Sequence, residues 1–164
     1  MIHFTKVDAE ADREVLLHIH CEVNYACDSP WAVKVPYEEY SAKWLSTSQP
    51  NAFLSHLAET MKDPRTIADF VINEHGERVG FVWVVFHDIV DYQLTAAEIM
   101  DFYIFPEHRR KGIGFAVLQR IEKEAKRRGA NLLRSETGIE NSASISLHQK
   151  IGFEAYRMSF EKRL

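Results

Sequence analysis

The sequence predicts an α/β (α+β) fold, with a central, mixed, twisted sheet flanked by helices and a single domain over residues 1–164. Three observations predict it. Val15, Leu16, Ile19 and Val23 recur at helical spacing. The run Val79–Phe86 is almost wholly apolar and β-branched or aromatic, as suits a strand covered on both faces. Residues 98–128 read as a strand, a basic glycine-containing loop and a helix. Strands and helices mix without strict alternation, which favours a mixed sheet over a purely parallel one.

The elements follow in order. Residues 2–7 read as a first strand, and Asp8 is placed to cap a helix reaching about Tyr25. Pro30 and Pro36 bracket a loop. Tyr37–Leu45 and Asn51–Lys62 read as two short helices. Thr66–Asn73 and Val79–Phe86 form a hairpin across the turn Glu74-His75-Gly76-Glu77. Glu98–Phe105 is the next strand, broken by Pro106. A helix from about Ile113 to Arg128 carries Ile113, Val117, Ile121 and Ala125 on one stripe. Glu122–Lys126 and Glu124–Arg128 are favourable i,i+4 pairs, and Gly129 stops the helix after a basic last turn. Leu132–Glu136 is expected as a strand, Asn141–Ile151 as a helix and Phe153–Glu161 as a final strand. No repeat, low-complexity tract or Gly/Ser linker divides the chain.

Composition narrows the function. The chain has 164 residues, 46% of them hydrophobic and 27% charged, which suits an ordinary globular domain. A net charge of −4 argues against a general nucleic-acid surface. No apolar run reaches the roughly 18 residues of a membrane helix. Acids follow Met1 closely, where a signal peptide has a basic start and an apolar core, so a cytoplasmic protein is expected. Cys21 and Cys27 match no zinc spacing. His18, Cys21 and Tyr25 share a helical face, which points to packing; neither a metal nor a disulfide is expected.

The loop Phe105-Pro106-Glu107-His108-Arg109-Arg110-Lys111-Gly112-Ile113-Gly114 joins a strand to a helix. The first amides of a helix are unpaired and carry partial positive charge. Gly112 and Gly114 let backbone approach a ligand, and Arg109, Arg110 and Lys111 add full charge. The combination favours an anion, above all a pyrophosphate. A Walker A loop is absent, and a dinucleotide fingerprint fails because Val117 stands at its third glycine. What remains is R-x-x-G-x-G, from Arg109 to Gly114.

With a second segment, Asn141-Ser142-Ala143-Ser144-Ile145-Ser146-Leu147-His148-Gln149-Lys150-Ile151-Gly152-Phe153, that loop resembles the GNAT superfamily of acetyl-CoA-dependent N-acetyltransferases. The resemblance spans most of the chain and is most specific over residues 98–153. It implies a GNAT-like fold whose splayed strands form the acetyl-CoA cleft, with acetyl-CoA as cosubstrate and no metal. It implies that backbone groups of Phe102, Tyr103 and Ile104 hold the pantetheine arm. It implies that the amides of Arg110, Lys111, Gly112, Ile113 and Gly114 cradle the pyrophosphate, beside Arg109. Asn141 would place the pantetheine or the following helix. Between Glu107 and Arg128 eight Lys or Arg stand against three Glu, an excess divided between ligand phosphates and a solvated helix face.

Where the family often carries a tyrosine able to protonate the leaving thiolate, this chain has His148. A neutral histidine is the poorer acid, so acid, base, water-holding and packing roles all stay open for it. A lysine-like amine with pKa near 10.4 needs about 4.6 kcal/mol to expose its lone pair at pH 7, so a base is useful. Glu98 is the candidate and Asp101 the alternative; strand alternation puts the two on opposite faces. A backbone N–H near Ile104 would serve the oxyanion.

The expected activity is therefore direct acetyl transfer to a primary amine of a small molecule or protein. The alternative is a non-catalytic acyl-CoA-binding or sensing module. A longer acyl chain or a hydroxyl acceptor is a further variant, and a nucleotide hydrolase is disfavoured by its missing motifs. The acceptor groove is expected from residues 25–65 and Asp88–Leu94, whose acids (Asp28, Glu38, Glu39, Asp88, Asp91) hint at a cationic acceptor. No nucleic-acid or membrane partner is expected, and a homodimer is left open by the resemblance.

Overall fold

A computed structural model describes residues 2–29 and 34–164. The chain runs β1 (Ile2–Lys6), α1 (Arg13–Cys27), α2 (Tyr37–Leu45), α3 (Gln49–Thr60), β2 (Ile67–Asn73), β3 (Arg78–Ile89), β4 (Leu94–Ile104), α4 (Ile113–Arg127), β5 (Leu132–Ser135) and α5 (Ser142–Ile151). Asp8 accepts from the amides of Glu10 and Ala11, which turns the chain before α1 starts at Arg13. Pro36 stands directly before α2, while Pro30 lies outside the described residues.

The strands form one sheet in the order β1-β2-β3-β4-β5. The first four pair antiparallel and the last pair is parallel. Each face carries its own core. On one, Leu16 and Ile19 of α1 and Phe53, Leu54 and Leu57 of α3 pack on Phe70, Phe81, Trp83 and Val85. On the other, Val117, Leu118, Ile121 and Ala125 of α4 pack on Val71, Val82, Val84, Ala97 and Ile99. Every residue of Val79–Phe86 is buried, which is why that strand reads as an unbroken apolar run. Each fully buried side chain of this size contributes roughly 1.5–3 kcal/mol.

Two details of β4 position the site. It is eleven residues long, but β5 pairs only with Ala96–Ile99, so the edge from Met100 to Ile104 is left open beside the departing β5. The second detail is a bulge. Trp83 pairs with Asp101, whereas Val84 pairs with Ile99, so Met100 is the extra residue. Glu98 lies opposite Val85 and Asp101 opposite Trp83, and those two partners share the α1/α3 face. Glu98 and Asp101 are therefore on the same face. The alternation argument fails because the bulge inserts one residue between them.

The expected strand over Phe153–Glu161 is not formed; residues 153–164 adopt neither helix nor strand. Tyr156, Met158 and Phe160 alternate as a strand would, yet all three are exposed. The tail is held by side chains instead, with Arg134 near the Tyr156 ring and Ser29 donating to Glu161. β5, only four residues long, offers little ladder for it to join.

Candidate active site

Where β4 and β5 part, a cleft of about 1020 Å³ opens between the β4–α4 loop, the C-terminal end of α1 and the β5–α5 loop. One end is made of backbone. Arg110 and Gly112 both adopt left-handed φ, 62° and 78°. A turn of this kind directs successive amides into one concavity, and it runs directly into the N-terminus of α4, which no side chain caps. A side chain at Gly112 would meet nothing within 4 Å, so glycine is needed there for its backbone angle alone. Gly114 is different. A Cβ there would lie 3.2 Å from Leu147 and 3.5 Å from Phe102, so its smallness seats α4 against α5 and β4.

Arg109 braces this loop. Its Nε donates to the Ile104 carbonyl at 2.7 Å, and its guanidinium lies over the Tyr103 ring at 5.2 Å. The bond also fixes the direction of the strand's polar groups. The Phe105 amide donates inward to Val79, so alternation turns the backbone of Ile104 and Phe102 toward the open edge. An extended polar ligand has a strand edge to lie along.

In the middle of the cleft, β5 ends at Ser135 and α5 begins after Asn141. Asn141 accepts from the Ser144 amide, so it is the N-cap that places α5. His148, about two turns on, is held at both ring nitrogens. Nδ1 lies 2.7 Å from the Ser144 carbonyl oxygen and Nε2 lies 2.8 Å from Ser135 Oγ. Its ring meets Phe153 edge-on at 4.9 Å. Thr137 Oγ1, nearby on the cleft wall, is buried and has no hydrogen-bond partner among the described residues.

The α1 side is acidic and aromatic, and it meets the β4–α4 loop at Arg109. Glu22 and Asp28 come from the end of α1, joined by Tyr25, Tyr37 and Tyr103. Tyr103 donates to Glu22, and Arg109 Nη2 lies 3.9 Å from the same carboxylate. Tyr25 meets Tyr37 and Tyr40 edge-on at 5.4 and 5.0 Å, while Tyr40 donates to Asp28 at 2.9 Å. Burial, and then the bond to Glu22, hold the Tyr103 phenol above its ordinary range, so it stays a donor at physiological pH. Gly138 lets the β5–α5 loop close onto α1; a Cβ there would sit 2.7 Å from the Ala26 carbonyl oxygen.

The sequence profile of the Acetyltransferase (GNAT) family matches residues 33–153. The chain belongs to that family. An uncharacterised N-acetyltransferase of Methanocaldococcus jannaschii is 25% identical over 144 residues, covering 87% of this chain and 57% of that protein. An aminoglycoside N(6')-acetyltransferase type 1 of Klebsiella aerogenes is 34% identical over 80 residues, covering 48% of this chain and 53% of the relative. The match thus spans little more than half the length of either relative. In fold, the crystal structure of a putative acetyltransferase, YycN, from Bacillus subtilis superposes with a TM-score of 0.73 at 18% identity, over 100% of this chain and 99% of that one.

Nine of the twelve residues expected in the GNAT site line the cleft: Phe102, Tyr103, Ile104, Arg109, Arg110, Gly112, Gly114, Asn141 and His148. Lys111 is exposed, and Ile113 packs against the α4 core. Glu98 is not on the cleft wall; its carboxylate lies 3.2 Å from His87 Nε2. Asp101 is 1% exposed and binds His20 Nδ1 through both oxygens, at 2.8 and 3.0 Å, under the stacked ring of Phe53.

The expected acceptor groove is corrected in part. Phe53, Leu54 and Leu57 of α3, which by their apolar pattern suit a groove or, better, a core, belong to the core; Asp88 is bound by Arg65 and Thr95. Glu38, Glu39 and Asp91 are also off the wall, and of the five acids once pointed to, Asp28 alone lines it. The residues the sequence did not flag are Glu22, Ser135, Glu136 and Glu140. They lie on three different elements, and no motif spacing links them. Cys21 is buried, as packing of that face predicts, whereas His18 and Cys27 are exposed. Among the described residues, no three His, Cys, Asp or Glu side chains gather as a metal cluster, and no helix is long and apolar enough to cross a membrane.

Proposed function

We propose that this chain, as a single cytoplasmic N-acetyltransferase domain over residues 1–164, transfers the acetyl group of acetyl-CoA directly to a primary amine. One observation carries the reading: the left-handed Arg110 and Gly112 aim an uncapped helix start into a cleft that continues along the open edge of β4. Diphosphate fits the first part and an amide-bearing arm the second. The residues present suit coenzyme A in chemistry as well as shape. Arg109 and Arg110 supply positive charge beside the turn.

The acceptor is a cationic amine. Glu22 and Asp28 give the α1 side negative charge, and the faces of Tyr25, Tyr37 and Tyr103 suit an ammonium. The aminoglycoside-directed relative named above acts on a cationic class by its name, which agrees with that chemistry. Exposing the lone pair requires a base on the cleft wall. Glu136 qualifies because it follows Ser135 where the strands part. Glu98, the candidate from the sequence, would have to act through water from its place beside His87.

The test is turnover of acetyl-CoA across a panel of amines, read as free thiol. The expected result is release of CoA with polycationic amines and none with neutral alcohols. Binding of acetyl-CoA without turnover would make the chain a sensing module. No calorimetric heat and no thermal shift with acetyl-CoA would overturn the reading altogether.

A further inference from the structure

The hydrogen bonds of His148 fix more than its position. Nδ1 has two partners on Ser144, the carbonyl oxygen at 2.7 Å and the hydroxyl at 3.3 Å; the carbonyl is much the nearer and can only accept, which assigns the ring hydrogen to Nδ1. Nε2 is then the nitrogen that gains and loses a proton, and its partner at 2.8 Å is the Ser135 hydroxyl. When the imidazole is neutral, Ser135 must donate to Nε2, and its hydrogen is turned away from the cleft. When the ring is an imidazolium, Nε2–H donates to Ser135 Oγ. The serine hydrogen is then released to point into the cleft that Ser135 lines.

Ser135 is also in the right place. With a diphosphate at Gly112 and an extended arm lying along Ile104 and Phe102, the reactive end of that arm reaches the point where β4 and β5 separate. Ser135 is the last residue of β5 and pairs with Ile99 at that point. We propose that Ser135 is a catalytic residue that gives its proton to the departing sulfur of coenzyme A, and that His148 is the positioning residue that aims and recharges its hydroxyl.

The step balances. The C–S bond breaks and its electron pair goes to sulfur. Ser135 Oγ–H passes its proton to that sulfur and takes the Nε2 proton of the His148 imidazolium. His148 is reprotonated from solvent, while the proton lost by the attacking amine leaves through the base. A histidine that is a poor direct substitute for a tyrosine acid thus works through a hydroxyl, which stays protonated across the whole working range.

The inference rests on the acetyl-transfer reading. Several charged groups share the cleft with His148. Glu22 and Asp28 come from α1, Glu136 and Glu140 from the β5–α5 loop, His108, Arg109 and Arg110 from the β4–α4 loop, and Lys150 from its own helix; the phenols are Tyr25, Tyr37 and Tyr103, and the thiol is Cys27. The sign follows from the geometry: the competent form is the imidazolium, so kcat falls with rising pH.

The experiment compares S135A, S135T, H148F and the S135A/H148F double variant. S135A is expected to lower kcat by about 100-fold, the scale of general-acid catalysis, with the KM for acetyl-CoA unchanged and the alkaline limb of the kcat profile lost. S135T, which keeps the hydroxyl, restores most of the rate. The double variant is no slower than the slower single one. In the ligand-free protein, ¹⁵N spectra of the neutral His148 ring show hydrogen on Nδ1 and a bare Nε2. A neutral ring protonated on Nε2, full activity in S135A, an S135T as slow as S135A, or multiplied losses in the double variant would each overturn the proposal. Wild-type protein that fails to bind acetyl-CoA would instead overturn the broader reading, so the two failures are distinguishable.

Discussion

The two ends of the cleft are built from different materials. At the α4 end the working groups are main-chain amides, presented by two left-handed residues and the start of a helix. At the α1 end they are side chains, Glu22, Asp28 and three tyrosines, brought together from α1, the segment at α2 and β4. A backbone cradle tolerates almost any side chain provided the angles are kept. A side-chain pocket keeps its function only residue by residue. On the proposed reading, the first end holds the cosubstrate shared by the family and the second selects the acceptor.

The largest effect is expected between the two ends, where the proposed reading puts the chemistry. Glu136→Gln should lower kcat by about 100-fold or more, the usual contribution of a positioned base, while Glu98→Gln changes it by less than about threefold. Glu98 is paired with His87 off the cleft wall, whereas Glu136 lines it. Steady-state kinetics with a saturating amine decides. If Glu98→Gln is the slower variant, the base acts from the α1/α3 face and the division of the cleft drawn above is wrong.

The contrast also explains what could be read from the chain alone. The α4 end was legible because its function is local: Arg109 to Gly114 is one continuous stretch, and a glycine required for a left-handed angle leaves its mark in the sequence. The helices and the buried strand β3 were legible for the same reason, since periodicity is a local property. Glu22 and the adjacent pair Ser135 and Glu136 come to one cleft only through the fold. The bulge at Met100, which puts Glu98 and Asp101 on one face, is a matter of register between strands and has no signature in β4 itself. The tail from Phe153 shows the converse error. Its alternation is that of a strand, but a strand needs a partner edge, and the four-residue β5 does not provide one.

A middle-sized effect tests the backbone end. Gly112→Val forces a β-branched residue to φ 78°, a conformation that costs such residues on the order of 1–3 kcal/mol. If the strain is relieved by abandoning the turn, acetyl-CoA affinity falls by about tenfold to a hundredfold, while kcat at saturation and the KM for the amine change little. Calorimetric titration with acetyl-CoA reads the affinity directly. An unchanged affinity would mean that the phosphates are held by the side chains of Arg109 and Arg110 instead, which makes both ends side-chain sites.

The smallest effect tests the acidic end. Glu22 is a quarter exposed, so its attraction for a cationic amine is partly screened by water. Glu22→Gln preserves an acceptor for the Tyr103 hydroxyl and removes only the charge. The loss for a cationic acceptor is about 1 kcal/mol, or roughly a fivefold rise in its KM, with acetyl-CoA affinity unaffected. Raising the ionic strength should shrink the difference between variant and wild type, because salt weakens a charge interaction but not a hydrogen bond. A rise in KM that salt leaves untouched would place the role of Glu22 in holding Tyr103 rather than in reading charge. A rise in the acetyl-CoA KM instead would show that the cosubstrate reaches the α1 end, and that the amine enters elsewhere.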